Sequence, residues 1–333
     1  MHFIMPRIDW TALFSDVFAG RRVLVTGGAG FIGSHLVDAL RGLGARVVVL
    51  DDLSGGTTAN LEPLADIEFV EGSILDTALL ERRTASCDLV FHLAALGSVP
   101  RSVEEPRLFH EVNATGTLNV LEAARHAKTV RRVIFSASSS AYGGNPTPWI
   151  ETMPPLACSP YAATKLAGEA MLHAYSSAYA LDTVSLRYFN IFGPRQNANS
   201  AYAAVIAAFA KALHAGRRPI IYGDGKQSRD FTFVANVVYA NLLAARTSER
   251  LGGAVINVGC GDRISVNALA ELMAGAFGRP DLAPIHEPER AGDLKHSFAD
   301  LRRAGGVLGY EPKVPFAAGL EATVAWYRET LGR

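Results

Sequence analysis

Short runs of apolar, mostly β-branched residues recur along the first half of the chain and once more near residue 255. The runs cover residues 22–26, 46–50, 67–71, 88–93, 131–136, 183–188 and 255–258. Several are apolar at almost every position, which is typical of strands that are buried on both faces. The pattern therefore predicts a parallel sheet that is covered by helices on both sides.

Apolar residues with helical spacing lie between these runs, over residues 31–43, 113–126 and 160–179. Alternating strands and helices predict an α/β fold with a Rossmann-like, doubly wound parallel sheet. After residue 190 proline and glycine become more frequent, which indicates a smaller C-terminal lobe. We expect a cofactor-binding domain over residues 1–189, with late pieces of the sheet at about 232–260. A mainly substrate-binding lobe over residues 190–333 is expected to be interleaved with it.

The charge balance argues against a nucleic-acid or membrane-surface partner. Among 333 residues, 32 are basic and 32 acidic, so the chain carries no net field that would attract a polyanion. The N-terminal stretch contains Arg7, Asp9 and Asp16, which does not fit a signal peptide. The most apolar helical stretch, residues 201–215, is interrupted by Lys211 and His214, and no membrane span is expected.

The cysteines indicate neither a disulfide framework nor a metal site. Cys87, Cys158 and Cys260 are odd in number and far apart, without a CxxC pair or a Cys/His cluster. We therefore expect no bound metal and a protein of the reducing cytoplasm.

A dinucleotide-binding fingerprint follows the first predicted strand. Residues 22–33 read RVLVTGGAGFIG, with Gly27, Gly30 and Gly33 in the spacing GxxGxxG. These glycines allow a tight turn, a close approach of backbone to a pyrophosphate, and close packing of helix on strand. Asp51 ends the next strand, where its carboxylate can bind ribose hydroxyls and would repel a 2′-phosphate. This order of features predicts NAD as the cofactor.

A tyrosine and a lysine with helical spacing form a candidate catalytic pair. Tyr161 and Lys165 lie in SPYAATKLAGE, where Ser159 suits the N-cap and Pro160 the first helical position. The i, i+4 spacing places phenol and ammonium on one helix face. The ammonium and the positive nicotinamide of NAD are expected to lower the tyrosine pKa from about 10. Upstream, residues 135–143 read FSASSSAYG, a strand end with hydroxyls that can contact a substrate.

The chain resembles the extended short-chain dehydrogenase/reductase family over nearly its whole length. The segments that carry the resemblance are TGGAGFIG (26–33), HLAALGSVPRS (92–102), SASSSAYG (136–143), SPYAATK (159–165), RYFNIFGPRQ (187–196), GDGKQSRDF (223–231) and RAGDLKHSFAD (290–300). Together they are typical of enzymes that act on nucleoside-diphosphate sugars. AALGSVPRS, SASSSAYG and AYAAVI (201–206) are most similar to bacterial UDP-N-acetylglucosamine 4-epimerases.

The resemblance implies roles for individual residues. Ser138 matches the catalytic serine, Tyr161 the base and Lys165 the activating lysine. The positions implied for NAD binding are Gly27, Gly30, Phe31, Ile32, Gly33, Asp51, Ser73, Ile74, Leu93, Ala94, Ala95, Asn113, Ser136, Tyr161, Lys165 and Tyr188. The positions implied for binding the UDP-sugar are Ser98, Ser138, Ser139, Asn190, Arg229, Arg290, Asp293 and Ser297.

Two residues depart from the family pattern around the cofactor. Ser73 replaces an aspartate that contacts adenine, and Gly97 stands where some galactose epimerases carry a lysine. Neither change touches the Ser/Tyr/Lys group.

The reaction implied by the resemblance is C4 epimerisation through a 4-keto sugar. Related dehydratases carry an Asp-Glu pair directly after the catalytic serine, whereas this chain has Ser139 and Ser140. Ser297 takes the place of a tyrosine that crowds the sugar C2 pocket in galactose-specific members, which leaves room for an N-acetyl group.

Two alternatives stay open. A UDP-glucuronate 4-epimerase could use Arg101 or Arg195 for the sugar carboxylate, and a non-catalytic NAD-binding regulator could share the fold.

The resemblance also implies a homodimer, in which the helices at 113–126 and 160–179 form a four-helix interface with a second copy. These helices carry apolar residues beyond a single face, for example Ala162, Leu166, Ala170 and Tyr175.

Overall fold

A seven-stranded parallel sheet lies at the centre of the computed structural model, which describes residues 8–62, 66–198, 204–289 and 294–332. The strands are β1 (Arg22–Thr26), β2 (Arg46–Asp51), β3 (Glu68–Glu71), β4 (Leu89–His92), β5 (Arg132–Ser138), β6 (Asp182–Tyr188), β7 (Ile191–Phe192), β8 (Ile220–Tyr222), β9 (Ser228–Arg229), β10 (Thr232–Phe233), β11 (Ala254–Val258), β12 (Ile264–Ser265) and β13 (Ile285–Glu287). The order in the large sheet is β3-β2-β1-β4-β5-β6-β11, which confirms the predicted Rossmann-like arrangement.

Helices cover both faces of this sheet and form most of the C-terminal lobe. They are α1 (Trp10–Phe14), α2 (Phe31–Gly42), α3 (Thr77–Thr84), α4 (Val99–Glu104), α5 (Pro106–Phe109), α6 (Gly116–Ala127), α7 (Pro160–Tyr179), α8 (Val205–His214), α9 (Val234–Arg246), α10 (Val266–Ala276), α11 (Arg302–Leu308) and α12 (Phe316–Thr330). A π-helical segment, His110–Thr115, joins α5 to α6.

All seven predicted strands are present, with ends shifted by at most two residues. The helices predicted at 31–43 and 160–179 are α2 and α7, and the one predicted at 113–126 is α6 with part of the π-helical segment. The helix α7 begins where its residues require, because the Ser159 hydroxyl accepts a hydrogen bond from the Ala162 backbone N–H at 3.1 Å.

Two apolar layers enclose the sheet, and a third core fills the C-terminal lobe. The helices α2 and α9 pack on one face, and α3, α6 and α7 on the other. The lobe core lies between α8, α10 and α12. Among the described residues no helix has the length and apolarity that crossing a bilayer requires. The carboxyl ends of the strands face the lobe, and a crevice opens there between β1 and β4, where the strand order reverses.

The outward face of α6 and α7 is less apolar than the sequence suggests. Ala162 and Tyr175 are buried against the chain's own core, at 1% and 9% exposure, because α7 packs on β5 and α6. Leu166 is half-buried and Ala170 is exposed. Apolar side chains that do reach the surface on α4 to α7 are Val99, Val103, Leu108, Leu118 and Tyr179.

Candidate active site

The glycine-rich turn and the ends of β2 and β4 line a cleft that fits a dinucleotide. Helix α2 begins after Gly30 with no side-chain cap and no acid in its first turn, so the positive end of its dipole faces the cleft. At Gly27, whose φ is +71°, a Cβ would lie 2.6 Å from the Ala94 backbone nitrogen. Only glycine satisfies both constraints, so the turn can lie directly against the end of β4 at the cleft, where its backbone can face a pyrophosphate.

Asp51 stands at the end of β2 with its carboxylate held by backbone. Its oxygens accept hydrogen bonds from the Ala29 and Leu53 N–H groups, both at 2.9 Å. Burial raises the pKa of Asp51, while these hydrogen bonds lower it. The carboxylate therefore lies on the cofactor side of the glycine turn, as the fingerprint predicts.

Most residues predicted to bind the cofactor line this cleft or the one next to it. The cofactor cleft is lined by Gly27, Gly30, Phe31, Ile32, Gly33, Asp51, Ile74, Leu93, Ala94, Ala95 and Ser136. Tyr161, Lys165 and Tyr188 line the adjoining cleft. The glycine turn, the ribose-side carboxylate and the aliphatic walls thus fit NAD.

Ser73 and Asn113 do not line this cleft, because their polar atoms form hydrogen bonds with nearby backbone groups. The Ser73 hydroxyl accepts a hydrogen bond from the Leu75 N–H at 3.2 Å. The buried Asn113 amide accepts from the Leu96 N–H at 2.8 Å and donates to the Leu96 carbonyl at 3.1 Å. Asn113 thus shapes the loop after β4, and its part in cofactor binding stays a prediction.

Ser138, Tyr161 and Lys165 meet at the mouth of the cofactor cleft. The Tyr161 phenol interacts with the Ser138 side chain, whose oxygen accepts from the Ser140 N–H and hydroxyl, at 3.2 and 2.9 Å. The Lys165 ammonium donates to the Ser136 carbonyl at 2.8 Å and lies 4.9 Å from the centre of the Phe135 ring. Strand β5 and helix α7 therefore bring together the three residues that the sequence proposes as catalytic.

In the protein alone the pKa of Tyr161 lies above its usual value, and Lys165, which was expected to lower it together with bound NAD, does not offset the effect of burial. Burial raises the pKa of Tyr161 by more than its hydrogen bond to Ser138 lowers it. The Lys165 nitrogen lies 6.0 Å from the centre of the Tyr161 ring and donates its hydrogen bond to the Ser136 carbonyl. Burial also lowers the pKa of Lys165, to about 7. The i, i+4 spacing correctly places the two groups on one face, but it carries no information about desolvation.

A cleft of about 720 Å³ continues from the cofactor cleft past the three catalytic candidates. Ser138, Ser139, Asn190, Arg229 and Ser297 of the predicted substrate set line it. Asn190 has a φ of +37°, and its amide donates to the Asp230 carbonyl at 2.9 Å and to the Ser297 hydroxyl at 3.1 Å. The left-handed backbone is thus fixed by two contacts at the cleft wall.

The remaining predicted substrate residues are Ser98, which is not part of the cleft lining, and Arg290 and Asp293; Arg229 has further contacts of its own. The Ser98 hydroxyl caps α4 by accepting from the Arg101 N–H at 3.3 Å. Arg290 and Asp293 lie outside the described residues. Arg229 donates to the carbonyls of Ser228 and Lys295, at 3.0 and 3.4 Å, and faces a third cleft as well.

This third cleft lies beside the second, in the C-terminal lobe, and sequence reasoning missed most of it. Its walls include Val205, Ile206, Ile221, Tyr222, Gln227 and Phe231, and it shares Asn190, Ile191, Gln196 and Arg229 with the second cleft. The segment GDGKQSRDF marked the region, but the lining comes from elements far apart in sequence. Ser54, Gly55 and Gly56 in the cofactor cleft were also missed, although their turn-rich composition after Asp51 was visible.

A doubly wound sheet, a glycine turn facing a strand-end acid, and a Ser/Tyr/Lys group at the cleft mouth define an NAD-binding protein of the short-chain dehydrogenase/reductase class. Residues 23–259 match the model of the NAD-dependent epimerase/dehydratase family. The chain belongs to this family. The match confirms the resemblance drawn from the motifs and the prediction of NAD as cofactor.

Relatives of known structure or name are similar over almost the whole chain. A UDP-glucose 4-epimerase of Mycolicibacterium smegmatis is 44% identical, covering 92% of this chain and 98% of its own. The structure of a UDP-N-acetylglucosamine 4-epimerase from Methanobrevibacter ruminantium M1, in complex with UDP-N-acetylmuramic acid, is 41% identical with a TM-score of 0.89, covering 94% and 99%. That of a UDP-glucose 4-epimerase with UDP-glucose from Thermotoga maritima is 40% identical with a TM-score of 0.88, covering 93% and 99%.

Proposed function

We propose that this protein is a UDP-sugar 4-epimerase that interconverts UDP-N-acetylglucosamine and UDP-N-acetylgalactosamine. The observation that carries the choice of sugar is Ser297, a small side chain that is 4% exposed and lines the sugar cleft in contact with Asn190. The three contiguous clefts support the substrate class, because a nucleotide, a sugar and a dinucleotide cofactor can lie end to end along them.

The catalytic residues can divide the work of moving one proton at the sugar 4-hydroxyl. Tyr161, as phenolate, accepts that proton, and Ser138 holds the reacting oxygen with the hydroxyl that Ser140 orients. Lys165, anchored on Ser136, can bind the nicotinamide ribose. Bound NAD supplies the hydride acceptor and a positive charge that favours the phenolate.

The residues after Ser138 favour epimerisation over elimination of water. Ser139 and Ser140 occupy the positions of the acid pair that related dehydratases use, and Ser140 is engaged with the Ser138 hydroxyl. A sugar hydroxyl leaves as water when a general acid protonates its oxygen, which is the part of the carboxylic acid in the dehydratases. Two serines serve that step poorly.

The described arginines give little support to a glucuronate substrate. Arg195 forms an ion pair with Asp38 at 2.8 Å, and Arg101 forms one with Glu105 at 2.7 Å. The two arginines considered for a sugar carboxylate are therefore paired within the chain, and neither lines the second cleft.

A panel of UDP-sugars tests the proposal. Purified protein is incubated with UDP-N-acetylglucosamine, UDP-glucose and UDP-glucuronate, and the products are separated by chromatography. We expect the N-acetylated sugar to be converted with the highest kcat/KM and bound NAD to be retained after turnover. Preferred conversion of UDP-glucuronate would contradict the choice of sugar. NAD binding without turnover of any sugar would favour a non-catalytic regulator.

We also propose a homodimer formed through the exposed apolar side chains of α4 to α7. Leu118 and Tyr179 are 38% and 51% exposed, and Val103 is 65% exposed. The helices that carry them are neighbours, since α4 and α6 both contact α7, and exposed apolar groups brought near one another are typical of an interface. Sedimentation at micromolar concentration should give a dimer, and Leu118→Glu should shift it toward monomer because a charge would be buried there. The equally exposed Val307→Glu, on α11, is the matched control, with Val307 43% exposed. A wild-type monomer would contradict the proposal.

A further inference from the structure

Glu169 and Arg187 form a buried ion pair directly behind the catalytic site. The guanidinium donates to both carboxylate oxygens, at 2.8 and 2.7 Å, and the two side chains are 6% and 4% exposed. Burying two charges costs solvation free energy that their attraction often does not recover, so such a pair is weak evidence for stability alone. The presence of this ion pair behind the catalytic site therefore suggests a role other than stabilising the fold.

One partner of this pair stands next to the catalytic lysine. Glu169 follows Lys165 by one turn of α7, and residues with this spacing lie on the same face of a helix. Both are buried, at 5% and 3% exposure. Burial lowers the pKa of Lys165 to about 7, and the negative charge of Glu169 raises it. Glu169 thus favours the charged form of a lysine that its surroundings would otherwise neutralise.

The other partner stands on the strand that carries the substrate-binding end of the sheet. Arg187 precedes Tyr188 on β6, three residues before Asn190 begins its turn in the cleft wall. Its guanidinium lies 4.5 Å from the centre of the Tyr142 ring, and the Tyr142 hydroxyl donates to Asn257 at 2.7 Å. The pair consequently joins helix α7 to the end of β6 across the back of the cleft.

The remaining titratable groups around Lys165 do not replace Glu169. From the elements packed on this part of α7 these are His92, Tyr142, Tyr161, Arg187 and Tyr188. His92 is held by the hydroxyls of Thr26 and Thr117, and burial together with Lys165 lowers its pKa to about 3, so it is neutral. Charged side chains over residues 99–115 lie at or near the surface, where solvent screens them: Arg101, Glu104, Glu105, Arg107, His110 and Glu111.

We propose that the Glu169–Arg187 pair is a positioning element of the catalytic site, in which the Glu169 carboxylate supports the buried Lys165 ammonium and Arg187 holds that carboxylate in place through two hydrogen bonds. The inference rests on the proposed catalytic role of Lys165. Neither residue of the pair lines the described clefts, so both act through Lys165 and the backbone.

The sign of the effect follows from the charge. Lys165 works as an ammonium, so activity is lost on the basic side as that ammonium loses its proton. Removing the negative charge of Glu169 makes the proton leave at lower pH. Glu169→Gln should therefore move the basic limb of the kcat profile down by about one pH unit or more, a loss of about 10-fold at a pH on that limb. The KM for the sugar should change little.

A direct measurement of lysine ionisation accompanies the kinetics. The chain has few lysines, so NAD-loaded protein labelled at the lysine ε-carbon gives a countable set of NMR signals: Lys128, Lys165, Lys211, Lys226, Lys295 and Lys313. The Lys165 signal is assigned with Lys165→Met. Its titration midpoint should be lower in Glu169→Gln than in wild type, and Glu169→Asp should restore most of the difference.

A second buried pair in the same sheet provides the matched control. Arg132 and Asp182, 7% and 12% exposed, are paired at 2.6 Å at the opposite end of β5 and β6. Asp182→Asn makes the same chemical change and should lower stability without moving either the Lys165 midpoint or the basic limb. If Glu169→Gln does not fold, Glu169→Gln/Arg187→Met removes both charges and should move the midpoint in the same direction.

The outcomes separate this inference from the proposed function. Equal Lys165 midpoints in wild type, Glu169→Gln and Asp182→Asn would overturn the positioning role, whatever the enzyme does. A Glu169-dependent midpoint in a protein that converts no UDP-sugar would support the positioning role and overturn the proposed function.

Discussion

Tyr161→Phe is expected to lower turnover by at least ~10²-fold while leaving the fold and bound NAD intact, because a positioned general base is typically worth that much. The substitution removes only the hydroxyl, and the ring can keep its edge contact with Phe109, whose centre lies 6.5 Å away. The measurement is kcat for the preferred UDP-sugar, with NAD content and thermal unfolding determined on the same preparation.

Tyr310→Phe is the matched control for this substitution. It removes a buried hydroxyl that donates to the Gly259 carbonyl at 2.9 Å, outside the catalytic group. We expect it to cost stability and to leave kcat within a few-fold of wild type. Near-normal turnover in Tyr161→Phe would remove the tyrosine from its role as base, since the phenol would then be dispensable.

Ser297→Tyr should lower kcat/KM for N-acetylated sugars while preserving turnover of UDP-glucose. The backbone of Ser297 is fixed on both sides, by hydrogen bonds with Ser228 at 3.0 Å and with Asp230 at 2.9 Å, so a larger side chain cannot retreat. It would project beside Asn190 into the cleft, where an acetamido group needs volume. Overpacking costs typically about 1–3 kcal/mol, so we expect a change in selectivity of roughly 10- to 100-fold.

The selectivity is measured as the ratio of kcat/KM for UDP-N-acetylglucosamine to that for UDP-glucose. Ser297→Ala is the control, because it loses the 3.1 Å hydrogen bond from Asn190 without adding volume, and it should leave the ratio nearly unchanged. A ratio that Ser297→Tyr does not alter would place the C2 substituent elsewhere in the cleft. The main reason for choosing the N-acetylated substrate would then be lost.

The sheet and the catalytic group could be predicted because their signals are local. The buried strands are apolar along their length, and the glycine turn, Asp51, and the Tyr161–Lys165 spacing each lie within one βα unit. Hydrogen-bond partners were harder to predict. Ser98 caps a helix by accepting from the Arg101 N–H, and Asn113 holds a loop by accepting from the Leu96 N–H. Both contacts depend on the path of the backbone, which the sequence pattern does not give.

The pKa values of buried groups, and the clefts lined by residues far apart in sequence, could not be predicted from the sequence. The pKa of Tyr161 depends on how completely the surrounding chain excludes water, which no spacing encodes. Gln196 lines two clefts because β7 and the turn after it lie against the C-terminal lobe, with the Gln196 carbonyl accepting from the Tyr327 hydroxyl at 2.7 Å. That contact joins residues 131 positions apart.

The shared wall between the second and third clefts has a consequence for affinity. In the proposed reaction the keto sugar must present both of its faces in turn to the nicotinamide, and the cleft of about 720 Å³ leaves room for that rotation. In the proposed reaction the nucleotide stays fixed, and we propose that it lies beside Arg229 and Gln196, which line both clefts. Most of the binding free energy is then supplied at the nucleotide end of the ligand, while the reaction takes place at its sugar end.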